Sequence, residues 1–242
     1  MKIGVLVPIT SNRREWVSFI ETDLYEYFFK SFFTTYSDDH DYTIYLGIDV
    51  DDKLYTDKDI QDNIIKFVGI MNNADVQFNY FDNKYYKGKP CWIWNELFNK
   101  AYNDECDYFI QCGSDITFVD KGWVNTAISR LKDKDDIGVV GLVDAGRKKF
   151  NANDTLLTQT MVSRKHKEIF GFYFPEILPS WSSDNWIGDI YDLEDRKIII
   201  GHRLFNCGGE PRYDIPSDHK KNYFIAMKKY INHIKNFISP TN

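Results

Sequence analysis

DYFIQCGSDITF, residues 107–118, decides how this chain folds. A short apolar and aromatic run ends in a glycine-containing turn that presents one carboxylate, Asp115. Runs without polar alternation are the mark of strands buried on both faces of a parallel sheet. On either side, helical spacing predicts helices over 92–103 and 122–132, and IGVVGLV at 137–143 is another buried strand. The same alternation runs back to the start. Strands are expected at 2–8, 42–49 and 76–80, with helices over 15–36 and 58–73 between them. Beyond residue 150 the pattern loosens, leaving a strand at 197–201 and a helix over about 222–237. Strands alternating with helices predict an α/β fold with a central, mainly parallel sheet covered on both faces. No linker or repeat divides the 242 residues, so a single domain is expected over 1–242.

Composition excludes several classes of function. The 43% hydrophobic and 17% aromatic content supports a packed core and rules out a disordered chain. A net charge of −6 gives no overall field to draw nucleic acid, and no run of 18 apolar residues predicts a membrane span. The apolar run in MKIGVLVPIT is too short for a signal sequence, which suggests a cytoplasmic protein. The four cysteines form no CxxC pair, so free thiols are expected rather than a zinc knuckle or disulfide framework.

Ligands of open α/β sheets bind outside the carboxyl ends of the strands. Three such ends carry polar residues: Pro8-Ile9-Thr10-Ser11-Asn12, Asp49 with Asp51 and Asp52, and Gly113-Ser114-Asp115. No GxGxxG and no GxxxxGK[ST] occurs, so a bound nucleotide would depend on acids and a metal rather than a glycine cradle. Asp115 is placed to hold a hard divalent cation, and His202 or His219 could add a nitrogen ligand. Asp49, which directly ends its strand, is the best placed of its acidic cluster. In PSWSSDNWIGD, residues 179–189, Trp181 and Trp186 flank Asp184. Aromatic faces there would stack on a sugar while the carboxylate accepts a hydroxyl proton. The same residues would equally suit a helix start, with Asp184 or Ser183 as its cap and the tryptophans in the core.

Taken in order, these stretches resemble the GT-A class of nucleotide-sugar glycosyltransferases, particularly a compact group from giant viruses of algae and amoebae. The resemblance runs through VLVPITSNRREW (5–16), YLGIDVDDKLY (45–55), KGKPCWIWNELFNKAY (87–102) and DYFIQCGSDITF with VDKGW (107–123). It continues through TQTMVSRKHKEIFGFYFPEILPSWSSDNWIGDIY (158–191) and ends near GGEPRY (208–213). Gly88 and Asn95 precede Asp115 as a Gly…Asn segment precedes the acidic motif of that class. The viral motif resembles Gly-Asp-Asp-Ile, and here Ser114 replaces its first acid.

The resemblance implies a GT-A fold with a nucleotide-binding half over about 1–120 and an acceptor half over about 121–242. Pro8, Ile9, Thr10 and Asn12 would contact the nucleotide, Asp49 the base or ribose, and Lys89 and Asn95 the ribose or diphosphate. Asp115 would hold Mn²⁺ or Mg²⁺ on the diphosphate, with His202 or His219 completing the site. Asp184 would face the acceptor hydroxyl between Trp181 and Trp186. The implied activity is metal-dependent hexosyl or pentosyl transfer from a UDP- or GDP-sugar to a glycan or small acceptor. The alternative is a non-catalytic sugar- or nucleotide-binding module, motivated by the missing acid at Ser114.

Overall fold

The structure, a computed structural model, describes residues 1–209 and 212–239. Its strands are β1 (Lys2–Ile9), β2 (Asp41–Asp49), β3 (Ala74–Phe81), β4 (Tyr108–Gln111), β5 (Ile116–Phe118), β6 (Val139–Asp144), β7 (Thr160–Ser163) and β8 (Lys197–Asn206). They form one sheet in the order β3-β2-β1-β4-β7-β6-β8-β5. β3, β2, β1 and β4 run parallel, as do β6 and β8, whereas β7 is antiparallel to both neighbours and β5 to β8. This is the expected α/β fold with a mostly parallel sheet, of the GT-A-like Rossmann type.

The helices are α1 (Lys30–Thr35), α2 (Lys58–Val68), α3 (Asn83–Tyr86), α4 (Pro90–Asn103), α5 (Trp123–Lys132), α6 (Ala145–Lys148), α7 (Lys165–Phe170), α8 (Ser183–Asp192), α9 (His219–Tyr230) and α10 (His233–Ile238). The helix expected over 15–36 begins only at Phe19, as a short 3₁₀ turn. It resumes as π-helical turns over Leu24–Phe29 before α1. Thr22 is extended between the two pieces, with its hydroxyl donating to Phe19 O at 2.7 Å. The helix expected over 222–237 is two, broken between α9 and α10. All four cysteines are free thiols. Among the described residues no helix is long and apolar enough to cross a membrane.

The pleat of β1 divides the core. Ile3, Val5, Val7 and Ile9 pack with Phe28, Phe29 and Phe32 on one face, and Leu6 packs with Leu97 and Phe98 of α4 on the other. Two glycines let α4 lie close against that second face. A Cβ at Gly4 would come 2.9 Å from Ala101 Cβ, and one at Gly47 would come 2.4 Å from Ile93 Cγ2. This close seat brings the start of α4, with Lys89 and Pro90, to the carboxyl ends of β1 and β2. Gly47→Ala should therefore lower stability by about 1–3 kcal/mol through overpacking, read as a drop in denaturant midpoint. An unchanged midpoint would mean that α4 moves without cost.

Candidate active site

The carboxyl ends of β1 and β2 meet in a cavity of about 430 Å³ lined by Pro8, Ile9, Thr10, Asp49, Lys89, Asp115, Trp181, Arg212 and Tyr213, among others. Seven of the residues expected at the site thus share one wall. Asp49 is 6% exposed and accepts from Tyr213 Oη at 2.9 Å and Thr10 Oγ1 at 3.4 Å. Burial raises its carboxyl above the usual range, against the lowering effect of the Tyr213 bond. Burial likewise pushes the Tyr213 phenol up to about 12, which keeps it a neutral donor. The other acids of the cluster have structural partners. Asp52 accepts from the backbone of Ser11, Leu54 and Tyr55 at 2.6–3.1 Å, and Asp51 is bonded by Asn83. Thr10, Asp49 and Tyr213 also line an adjoining cavity of about 780 Å³ that reaches Asn12, Arg14 and Trp16. The Asn12 amide donates to Arg212 O at 2.7 Å, tying the β1 loop to the later strap.

Asp115 sits between β4 and β5 in a turn shaped for it. The Gly113 amide donates to Gln159 Oε1 at 2.9 Å, and Asp115 O accepts from Cys207 N at 2.8 Å. Its carboxylate is wedged between two glycines. A Cβ at Gly113 would lie 2.4 Å from Oδ1, and one at Gly208 would lie 2.1 Å from Oδ2. Neither glycine could carry a side chain with the acid in this place. The Arg212 guanidinium lies 3.9 Å from Asp115 Oδ2, donates to Ser114 Oγ at 3.3 Å and is also bonded to Asp23. So the residue before Asp115 is a buried serine whose hydroxyl is held by an arginine.

Asp115 fits a divalent ion only in one manner. Among the described residues no group of three or more His, Cys, Asp or Glu could hold a metal. A single carboxylate suits Mg²⁺ or a similar hard ion where substrate phosphates and water provide the other oxygens. His202 does not join it. Asn206 of β8 pairs with Ile116, and His202 lies four residues earlier, about 13 Å back along the strand and beside Asp120. His219 stands at the cavity rim, but its Nδ1 is 2.8 Å from Ser182 Oγ, so the ring holds a turn. Ser182 has a φ of 68°, in the left-handed region that is uncommon for non-glycine residues.

That turn starts α8 and presents Asp184 in its first turn. Ser182 occupies the cap position without a side-chain cap bond, so Asp184 is not the cap. Asp184 lines a third cavity, of about 590 Å³, together with Asp115, Trp181, Trp94, Asp144, Arg147 and Phe150. Burial raises the Asp184 carboxyl, against the Asn185 amide at 2.9 Å and the nearby Arg147 charge. Asp115 therefore stands on the wall common to this cavity and the first. Trp181 is 46% exposed and lines both.

Besides His202, two more expected residues are placed elsewhere. Trp186 is fully buried, packed on Phe170 and Tyr230, because five residues after Trp181 it falls on the inner face of α8. It supports the core and offers no acceptor surface. Asn95 lines none of these cavities. Its side chain accepts from Tyr173 N and Phe174 N at 2.9 and 2.8 Å and donates to Phe174 O at 2.8 Å. It thereby fastens α4 to the segment that leads to Trp181, which Cys91 N also holds through Pro179 O at 3.0 Å.

Sequence reasoning missed Arg212 and Tyr213, although GGEPRY was within the resemblance, because a loop arginine and tyrosine carry no periodic signal. It also missed Asp144, which is 4% exposed and accepts from Gly146 N, Arg147 N and Thr158 Oγ1. The glycine wedge makes a direct test. A misplacement of about 1 Å can cost about 10²-fold at a site that needs exact geometry, so, if Asp115 serves the transfer proposed below, Gly208→Ala should lose roughly that factor in activity with its melting temperature little changed. Full activity would show that the carboxylate position is unimportant.

No protein-family model matches the chain, and no curated protein does either. Among solved structures it is similar to S. aureus TarS, with a TM-score of 0.57 and 14% identity over 99% of this chain and 42% of that one. It is similar to TarS 1-349 in complex with UDP-GlcNAc, with a TM-score of 0.56 and 15% identity over 99% of this chain and 71% of that one. For TarS 1-349 in complex with UDP the TM-score is 0.50, again at 15% identity, over 100% of this chain and 67% of that one. The chain thus spans less than half of the longer TarS chain. At this identity the likeness establishes the fold.

Proposed function

We propose that this chain is a glycosyltransferase that moves a sugar from a nucleoside diphosphate sugar, UDP-linked for preference, to the hydroxyl of a glycan or small acceptor. One observation carries the reading. Asp115 lines both the cavity that holds Asp49 and the cavity that holds Asp184, so donor and acceptor sites would meet at that carboxylate. The shared fold and the UDP-GlcNAc bound by the similar TarS 1-349 support a UDP-sugar as donor. Kinship with the compact giant-virus group rests on the order of the stretches between Val5 and Tyr213.

On this reading Asp49, Thr10 and Tyr213 bind the base or ribose, and Lys89, Arg212 and Asp115 surround the diphosphate. Asp184 takes the proton of the acceptor hydroxyl as its oxygen bonds to the anomeric carbon. The bond from that carbon to the diphosphate breaks, and the nucleoside diphosphate leaves with the electron pair. Mn²⁺ or Mg²⁺, held by Asp115 together with the diphosphate, would supply Lewis-acid neutralisation of that growing charge. Arg212 adds a fixed positive charge from the protein at the same place. A glycosidase would instead need two carboxylates flanking one bond and would have no use for a nucleotide crevice.

A second reading, a non-catalytic nucleotide-sugar-binding module, draws on Ser114, whose hydroxyl is bonded by Arg212 in place of an acid. A thermal-shift screen of UDP-, GDP- and dTDP-sugars with and without Mn²⁺, coupled to detection of free nucleotide, separates the two. A ligand at 100 times its Kd stabilises the native state by about 2.7 kcal/mol. The proposal expects a raised melting temperature with a UDP-sugar, larger with Mn²⁺, and slow metal-dependent release of UDP. Stabilisation without release under any condition would favour the binding module, and no stabilisation by any sugar nucleotide would contradict both.

A further inference from the structure

The C-terminal helices carry a surface that the proposed transfer does not use. Residues 219–239 contain Lys220, Lys221, Lys228, Lys229 and Lys235 and no acid, in a chain whose net charge is −6. The five lysines are exposed, and none forms an ion pair among the described residues. Interleaved with them, Phe224 is 69% exposed, Ile225 42%, Ile231 45% and Ile238 38%. The spacing 221, 224, 225, 228 places two lysines and two apolar residues on one stripe of α9, and in α10 Lys235 and Ile238 stand three residues apart on one side. The opposite side of α9 is already spent. Ala226 is buried, Tyr230 packs on Trp186 and Phe172, and Tyr223 Oη donates to Asp189 at 2.7 Å. So α9 is apolar on both sides, and only the inner one is covered by this chain.

We propose that the outer face of α9 and α10 docks on an anionic lipid membrane surface. Such a surface satisfies both halves of the pattern, since lysines meet acidic headgroups while Phe224, Ile225, Ile231 and Ile238 enter the headgroup–acyl boundary. A nucleic acid would pair with the lysines and leave the large apolar side chains in water. A second copy packed by two-fold symmetry would set this lysine-rich patch against its own like charges. The face begins at His219, which is bonded to Ser182 beside Trp181, so it starts at the rim of the candidate acceptor cavity. The inference does not depend on the glycosyltransferase reading.

The test is flotation of the full chain with vesicles of phosphatidylcholine, alone or mixed with phosphatidylglycerol, at low and high salt. Binding should appear with the mixed vesicles only and weaken with salt. The double variants Lys221→Glu with Lys228→Glu, and Phe224→Ser with Ile225→Ser, should each reduce binding about tenfold or more. Their circular dichroism and melting temperature should match the parent, because all four residues are exposed. Absence of binding to mixed vesicles, or binding unchanged in both variants, would overturn the proposal. So would retention on heparin without vesicle binding, or self-association abolished by the Phe224→Ser, Ile225→Ser pair.

Discussion

Asp115→Ala is expected to abolish metal-dependent binding of the nucleotide sugar while leaving the fold intact. The carboxylate lies at a strand end, 21% exposed, and gives no side-chain hydrogen bond to the core. Its removal therefore costs little stability. Binding, in contrast, loses the one acid among the described residues that lines both cavities, while Arg212 stays paired with Asp23 and bonded to Ser114 at 3.3 Å. The measurement is titration calorimetry of the UDP-sugar with and without Mn²⁺, on a preparation whose melting temperature matches the parent. Mn²⁺-dependent affinity unchanged in the variant would reject Asp115 as the metal and diphosphate residue. Affinity that becomes independent of metal but persists would assign the diphosphate to Arg212 and Lys89.

Asp184→Asn should lower turnover by about 10²–10⁴-fold, the usual contribution of a general base, with donor affinity retained. Donor affinity survives because Asp184 lines the acceptor cavity and not the one with Asp49. The pH profile adds a second readout. Burial raises the Asp184 carboxyl above the ordinary aspartate range. Protonated, it cannot accept the hydroxyl proton, so activity should fall on the acidic side at a higher pH than an exposed aspartate would give. The same shift fixes the sign for stability. A carboxyl whose pKa is raised by folding contributes stability at low pH that is lost as pH climbs through the folded value. Removing the charge should therefore leave the melting temperature at neutral pH equal or higher. Near-normal turnover would make Asp184 structural. Asp189, the other acid of that run, is engaged by Tyr223.

The parallel half of the sheet was legible because β1, β2 and β4 are uninterrupted apolar runs whose neighbours have helical spacing. β5 and β7 were not, being three and four residues long and defined by pairing with distant strands. The same distinction governs the site. Thr10, Asp49 and Asp115 could be found because each lies at or within a few residues of the carboxyl end of a strand. Arg212 and Tyr213 arrive from a loop some 200 residues away in sequence from Thr10, and only tertiary structure brings them in. The two tryptophans show where local reading stops. Trp181 precedes α8 and remains exposed, whereas Trp186 lies within it, and helical geometry turns it to the core beside Ile187, Ile190 and Tyr191. Asn95 was placed by its position before Asp115, but in the structure its amide is bonded to the backbone groups of 173–174.

The central claim is that donor and acceptor meet at Asp115, and the most direct measurement is the position of a nucleoside diphosphate in crystals of the complex. The account predicts the base or ribose against Asp49 and Tyr213, and the diphosphate beside Arg212 and Asp115, with the cavity of Asp184 left open to an acceptor. A nucleotide bound elsewhere, or one whose diphosphate points away from Asp115, would contradict it.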